Sequence, residues 1–197
     1  MAAAVKISVA LLFSLALLAC SNSLNLEINS EIPSVAMEPS AQRVHLVLRP
    51  DFKAYVYREN SDLRENWEIN LGNSQSALFS GIFKSAFGDV VISNVDEGSN
   101  GAELVFSPQL VELQLATPFE TGFKFYEAWL DYDITMRVVS SGDSETINLT
   151  AYGKENTARF QRRHEGLHKA IESALRDAGA KLTVALISIA NDGRISH

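Results

Sequence analysis

The sequence predicts an α+β fold, in which an antiparallel β-sheet, a meander, carries two amphipathic helices packed on one face. Apolar and polar residues alternate through much of residues 102–153, a pattern typical of half-buried strands. Segments 73–88 and 157–182 instead place apolar residues at three- and four-residue spacings, which is typical of helices. Hydrophobic residues make up 46% of the 197-residue chain, enough for a core that needs no disulfide.

The first predicted elements of this fold are a strand, a helix and a second strand. Residues 43–50, "RVHLVLRP", alternate as a half-buried strand that ends at Pro50, with His45 on its polar side. Residues 73–88 follow as a helix, with Asn73 or Ser74 as its N-cap and Gly88 as its stop signal. The short strand "DVVIS" comes directly after this helix.

Three long strand patterns then predict the meander. The first consists of "AELVFS" and "QLVELQLA", and Pro108 between them indicates a bulge or a sheet edge. The second is "FKFYEAWLDYDITMRVVSS" and the third is "ETINLTAYG". Gly142 and Asp143 between the last two are typical of a hairpin turn.

The last predicted element is an amphipathic helix with Thr157 as a candidate N-cap. Gly179 weakens this helix, and "LTVALISIA" beyond it is rich enough in β-branched residues to form a strand, although we favour a continued helix. Its apolar stripe consists of Phe160, His164, Leu167, Ile171, Ala174, Leu175, Ala178 and Leu182.

The N-terminus reads as a secretory signal peptide over residues 1–19, because one lysine precedes an apolar run too short to span a membrane. The following "LLAC" resembles the lipobox of bacterial lipoproteins, which implies that Cys20 carries the lipid. Cys20 is the only cysteine in the chain. The alternative is an ordinary signal peptide with a chance cysteine. Ser21 follows instead of the Asp that retains such lipoproteins in the inner membrane, which implies the outer membrane, facing the periplasm.

We therefore expect three regions: the signal peptide 1–19, a lipidated cysteine and flexible tether over 20–42, and a single α+β periplasmic domain over 43–197. The tether is polar, carries two prolines and has room for one short strand at "LNLEI". The formal net charge of −7 argues against nucleic acid or an anionic lipid surface as the main ligand. A lipid anchor remains the expected membrane contact. The basic residues Arg159, Arg162, Arg163 and Lys169 are interpreted as a solvated helix face.

Residues 164–168, "HEGLH", match the H-E-x-x-H pattern of zinc peptidases. On a helix His164 and His168 share a face and can bind one Zn²⁺, with Glu165 activating a water. However, His164 falls within the apolar stripe, basic residues flank the motif, and no suitable third ligand follows. We interpret the histidines as packed or solvated, and expect no metal, no cofactor and no enzymatic activity. A zinc-dependent hydrolase using this segment is the alternative function.

A partner-binding surface is predicted on one face of the longest strand. Phe123, Phe125 and Trp129 share this face with charged residues, and the neighbouring strand adds Tyr152. Aromatic residues grouped on a polar face are typical of binding patches. Alternatively, the tether or the first strands bury this face. The face that the helices should cover consists of Tyr126, Ala128, Leu130, Tyr132, Ile134, Met136 and Val138.

The element order behind a lipobox, together with "GKENTARFQ" and "HKAIESAL", resembles the YajG family of envelope lipoproteins. It is similar, more loosely, to LptE-like and CsgG-like periplasmic lipoprotein domains. The resemblance implies location and fold, and carries no activity over to particular residues. The predicted function is a non-enzymatic, lipid-anchored periplasmic protein that binds an envelope protein partner in assembly or transport.

Overall fold

The computed structural model describes residues 38–59, 66–96, 98, 101–122, 124–157 and 163–191, and the backbone of 23–27. The described residues form eight strands and four helices. In chain order these are β1 Ser23–Glu27, β2 Ser40–Val47, α1 Pro50–Lys53, β3 Val56–Glu59, β4 Asn66–Asn70, α2 Gly72–Ala86, β5 Phe87–Ser93, β6 Leu104–Ala116, α3 Pro118–Thr121, β7 Phe125–Val138, β8 Ser144–Asn156 and α4 Arg163–Asn191.

The main sheet has the strand order β5-β2-β6-β7-β8, and the α+β class is confirmed. The predicted meander is present, since β6, β7 and β8 pair antiparallel with their chain neighbours. Strand β2 pairs in parallel with both β5 and β6, so the sheet as a whole is mixed. Parallel pairing requires a crossover connection, and the segment containing α2 supplies it between β2 and β5.

Helices α2 and α4 contact each other and pack on the same face of this sheet, as predicted. The alternation of β7 decides which face they cover, because residues two apart point to the same side. Along β7, residues from Tyr126 to Met136 in steps of two are at most 9% exposed. Tyr132 sits at the centre of this core, where its ring lies 5.2 Å from that of Phe79.

Helix α4 continues through residues 182–190, which confirms the favoured interpretation of "LTVALISIA". Leu182 and Leu186 are fully buried whereas Val184 is 68% exposed, a helical pattern of burial. The described part of the helix begins at Arg163, and residues 158–162, which separate it from the predicted N-cap Thr157, lie outside the described residues. Helix α2 begins at Gly72, one or two residues before the predicted caps, and its N-cap Leu71 makes no side-chain capping bond.

A second, three-stranded sheet of order β1-β4-β3 was not predicted, although β1 coincides with the short strand expected at "LNLEI". No element was predicted between Pro50, where the first predicted strand ends, and residue 73, and α1, β3 and β4 lie in this interval. These elements are only four or five residues long, too short for a periodic pattern. Trp67 and Ile69 of β4 are nevertheless at most 5% exposed and belong to the core.

Strand β6 runs continuously through Pro108, which pairs with Ile134 of β7. The pairing of β6 with β2 ends at Phe106, so Pro108 lies where β6 has left its other neighbour. Because proline cannot donate a ladder hydrogen bond, this confirms the predicted sheet edge. The register shift comes slightly later, between Leu110 and Glu112, and leaves Val111 55% exposed.

Candidate functional site

The open face is the surface of the main sheet opposite α2 and α4. Its central row runs across three strands, because Gln114 of β6 pairs with Trp129 of β7, which pairs with Tyr152 of β8. These residues share the face because each strand alternates its side chains between core and surface. The rows on either side are Ala116, Glu127 and Lys154, and Glu112, Asp131 and Thr150.

Three of the four predicted binding residues lie within these rows or next to them. The ring centroids of Trp129 and Tyr152 are 5.3 Å apart with the planes tilted by 38°, a favourable aromatic pair. Phe125 lies under the ammonium of Lys154, whose Nζ is 3.8 Å from the ring centroid. Tyr152 is 37% exposed, while Trp129 and Phe125 are partly buried. Phe123 lies outside the described residues.

Glu127 connects the members of this aromatic cluster. The Tyr152 hydroxyl donates to Glu127 Oε1 at 2.7 Å, and Lys154 Nζ lies 3.6 Å from the same oxygen. Burial, the hydrogen bond to Glu127 and the negative charge of that carboxylate together raise the pKa of Tyr152 to about 12. The phenol therefore stays neutral at physiological pH and acts as a hydrogen-bond donor.

Two carboxylates face one another beside the cluster. Glu112 follows the bulged residue Val111 and pairs in register with Asp131. Oδ1 of Asp131 is buried and has no hydrogen-bond partner within the described residues. Glu112 was not predicted to lie on this face, because the one-residue bulge reverses the alternation of β6 at this point. Lys154 was not predicted there because the predicted strand stopped at Gly153.

A loop covers the other end of the open face. His45, predicted on the polar side of its strand, does face this way but is fully buried. Its Nε2 lies 2.8 Å from Ser93 Oγ and its Nδ1 lies 3.2 Å from the Gly98 carbonyl oxygen. Arg137 is paired with Asp96 of the same loop at 2.9 Å. The loop therefore covers this end of the face, whereas the residues of the aromatic cluster at the other end are partly exposed.

Helix α4 holds the outer edge of β8 beside the cluster. The Tyr152 backbone N–H donates to Asp177 Oδ2 at 2.9 Å, and Lys181 Nζ donates to the Thr150 carbonyl at 2.8 Å. Lys181 also pairs with Asp177 at 2.8 Å. These contacts satisfy two outward-facing backbone groups of an edge strand, which makes them unavailable for pairing with another strand.

The HEGLH segment lies in the first turns of α4 and serves packing. Leu167 and Gly166 are buried, and a Cβ on Gly166 would lie 2.3 Å from the Tyr126 ring. His164 is partly exposed and Glu165 is exposed. His168 Nδ1 lies 3.6 Å from Glu172 Oε1. Across the described part of the chain, no group of three or more His, Cys, Asp or Glu side chains is placed to hold a metal ion.

The basic residues near this segment are only partly described. Lys169 is exposed and donates to Glu172 at 2.5 Å. Arg159 and Arg162, and the side chain of Arg163, lie outside the described residues, as does Cys20. None of the helices in the described ranges combines the length and apolar character that crossing a membrane requires.

No protein-family model and no curated protein matches this sequence. Among solved structures, the chain is similar to protein XCC0632 from Xanthomonas campestris, of family DUF330, with a TM-score of 0.59 and 8% identity over 87% of this chain and 99% of the other. A candidate lipoprotein from Caulobacter crescentus gives a TM-score of 0.35 and 10% sequence identity, and the match covers 49% of this chain and 72% of the other. The hypothetical protein CT253 from Chlamydia trachomatis gives a TM-score of 0.43 and 10% sequence identity, and the match covers 79% of this chain and 98% of the other. The last two scores are too low to establish a shared fold. The similarity to XCC0632 shows that this α+β fold also occurs in that bacterial protein.

Proposed function

We propose that this chain is a non-enzymatic lipoprotein, anchored through Cys20 to the outer membrane and facing the periplasm, that binds an envelope protein partner with the aromatic cluster of its open face. The cluster consists of Phe125, Trp129 and Tyr152. The observation that carries the proposal is the grouping of these rings, partly accessible, on a sheet face that is otherwise polar.

The anchoring half of the proposal rests on the sequence. The apolar run of residues 7–18 ends directly before Ala19 and Cys20, which is where a lipobox places its cysteine. Several acyl chains bind a membrane far more firmly than the single chain that gives marginal attachment. The domain over residues 43–197 would then act close to the membrane surface.

The binding half rests on the chemistry of the open face. Trp and Tyr side chains bury a large apolar area at a low cost in conformational entropy and keep a polar group for hydrogen bonding, so they dominate many interfaces. The hydrogen bond from Tyr152 to Glu127 and the position of Lys154 over Phe125 hold these side chains in place before a partner arrives. Such preorganisation lowers the entropic cost of association.

The HEGLH segment is better explained by packing than by catalysis. Gly166 and Leu167 face the core, and a bulkier residue at Gly166 would meet the Tyr126 ring. The glutamate that a zinc peptidase would use, Glu165, is exposed on the opposite side of the helix from Leu167. No observation on the described residues favours a hydrolase.

Site-specific photo-cross-linking in cells tests the proposal. A photoreactive phenylalanine analogue at Tyr152 should give a defined cross-linked product with an envelope protein, and Trp129→Ala should remove that product. The same analogue at Val184, which is 68% exposed on α4, serves as a control and should give no such product. Equal products from both positions, or none from Tyr152, would contradict the proposed surface.

A further inference from the structure

We infer that the partner presents an arginine side chain to the open face, where the guanidinium stacks on the Trp129–Tyr152 pair and donates to the carboxylates of Glu112 and Asp131. This inference rests on the proposed function and specifies the chemistry of the partner. It commits to an arginine-bearing protein segment, and lysine-bearing or neutral segments are the competing outcomes of the test.

Two carboxylates form one side of the inferred site. Glu112 and Asp131 are directly opposite one another in the β6–β7 ladder, a position where Cβ atoms are about 4.5–5.5 Å apart. Two like charges at this separation repel each other, and neither side chain forms an ion pair with a described residue. Oδ1 of Asp131 is also buried without a hydrogen-bond donor. A cation that reaches the exposed carboxylate of Glu112 would relieve the repulsion between the two carboxylates.

Lys154 and Lys181, the described cations near this pair, contact other groups. Lys154 lies on the other side of the Trp129 row, where it contacts Phe125 and Glu127. Lys181 is bound to Asp177 and to the Thr150 carbonyl. Among the described residues, the exposed end of the open face therefore keeps an excess of negative charge, which a cation from a partner would complement.

The aromatic rings of the site lie close to these carboxylates along the sheet. Asp131 is two residues from Trp129 along β7, and residues on one face of a strand repeat at about 6.6 Å. A planar guanidinium can stack on an aromatic ring with one surface and offer several N–H donors at its edge. An ammonium group lacks the flat surface and the forked donors. The combination of a ring pair and a carboxylate pair at this spacing thus favours arginine over lysine.

Peptide binding to the purified full-length protein in detergent micelles tests this inference. The probes are tetra-arginine, tetra-lysine and tetra-glutamine peptides, and the readout is the indole N–H NMR signal of Trp129, assigned by its loss in Trp129→Phe. Tetra-arginine should shift this signal saturably, and the double variant Glu112→Gln/Asp131→Asn should weaken its binding about tenfold or more. Tetra-lysine should bind several-fold more weakly, and tetra-glutamine should not bind.

A matched control separates this site from the general attraction of an acidic protein. Asp143→Asn/Glu145→Gln removes the same charge from two exposed residues at the end of the β7–β8 turn and the start of β8, and should leave tetra-arginine binding within about twofold of wild type. Equal weakening by the two double variants, or equal affinity for tetra-lysine, would overturn the inference.

The cross-linking experiment distinguishes failure of the inference from failure of the proposed function. If the inference holds, Glu112→Gln/Asp131→Asn and Trp129→Ala both remove the product formed from position 152. If Trp129→Ala removes it but the carboxylate variant does not, the partner binds the aromatic cluster without an arginine and the inference is wrong. If wild type gives no product, the proposed function itself is wrong.

Discussion

Replacing Gly153 with alanine should separate α4 from the sheet that it covers. Gly153 lies in β8 on the face beneath α4, and an added Cβ would sit 1.9 Å from the Ala170 carbonyl oxygen and 2.4 Å from the Ala174 nitrogen. Both are helix backbone atoms, so no side-chain rotation can relieve the overlap. The helix or the strand itself has to move.

The magnitude follows from the size of that movement. Real Cβ atoms essentially never come closer than 3.0 Å to a heavy atom of a residue distant in the chain, so the Ala170 oxygen must retreat by about 1 Å. A radial gap of about 0.5–1 Å forfeits a quarter to a half of the dispersion energy of the atoms that it separates. Leu167, Ile171 and Leu175 of α4 are fully buried and would lose such contacts. We expect a loss of about 3 kcal/mol in the free energy of unfolding, the upper end of typical overpacking.

Urea unfolding followed by far-UV circular dichroism measures this loss, and Gly88→Ala provides the control. Gly88 also lies in a strand, but the nearest atom to its added Cβ is 3.7 Å away, an ordinary contact. Its substitution should change stability by less than about 1 kcal/mol. If Gly153→Ala is no more destabilising than Gly88→Ala, α4 does not lie against β8 as closely as the structure places it, and the reasoning fails.

Three further predictions concern the open face and the anchor. Trp129→Ala should lower the free energy of unfolding by about 1–2 kcal/mol, because Trp129 is only partly buried and loses one aromatic pair. Trp67→Ala should lower it by about 3–5 kcal/mol, because Trp67 is only 5% exposed. Equal losses in thermal unfolding would contradict this difference. The pKa of Tyr152, about 12, should fall in Glu127→Gln, and the folding stability linked to this group should be complete below pH 10 and lost between about pH 10 and 12. Ultraviolet titration of wild type against Tyr152→Phe measures the pKa. An unchanged pKa in Glu127→Gln would contradict the role of that carboxylate. Cys20→Ala should abolish incorporation of labelled fatty acid and leave an unprocessed precursor, and a wild type that takes up no label would contradict the lipobox interpretation.

The parts of this fold that could be predicted from the sequence are those with long periodic patterns. The 14 residues of β7 alternate strictly enough to assign the covered face residue by residue. Helix α4 spans 29 residues, and its apolar stripe remains recognisable despite Gly179 and the β-branched segment beyond it. In both cases burial follows directly from the period of the element, because one face of each must leave water.

The short elements and the pairing of the strands could not be predicted in this way. Strands β3 and β4 have four and five residues, and their assignment depends on pairing with each other and with β1. The parallel pairing of β2 with β5 and β6 joins segments that are more than forty residues apart in sequence for both partners. Local propensity contains no information on such distant partners, which are chosen by the packing of the whole core.

The candidate site also has a part that could be predicted from local sequence and a part that depends on contacts between distant segments. The sequence by itself determined that Phe125, Trp129 and Glu127 share one face of a strand, because alternation is a local property of the extended backbone. Only the tertiary structure decided that Lys154 lies beside them and beside the predicted Tyr152, that a bulge turns Glu112 towards Asp131, and that a loop buries His45 at the other end of the face. Register, bulges and loop coverage depend on contacts between distant segments, and these contacts exist only once the chain has folded.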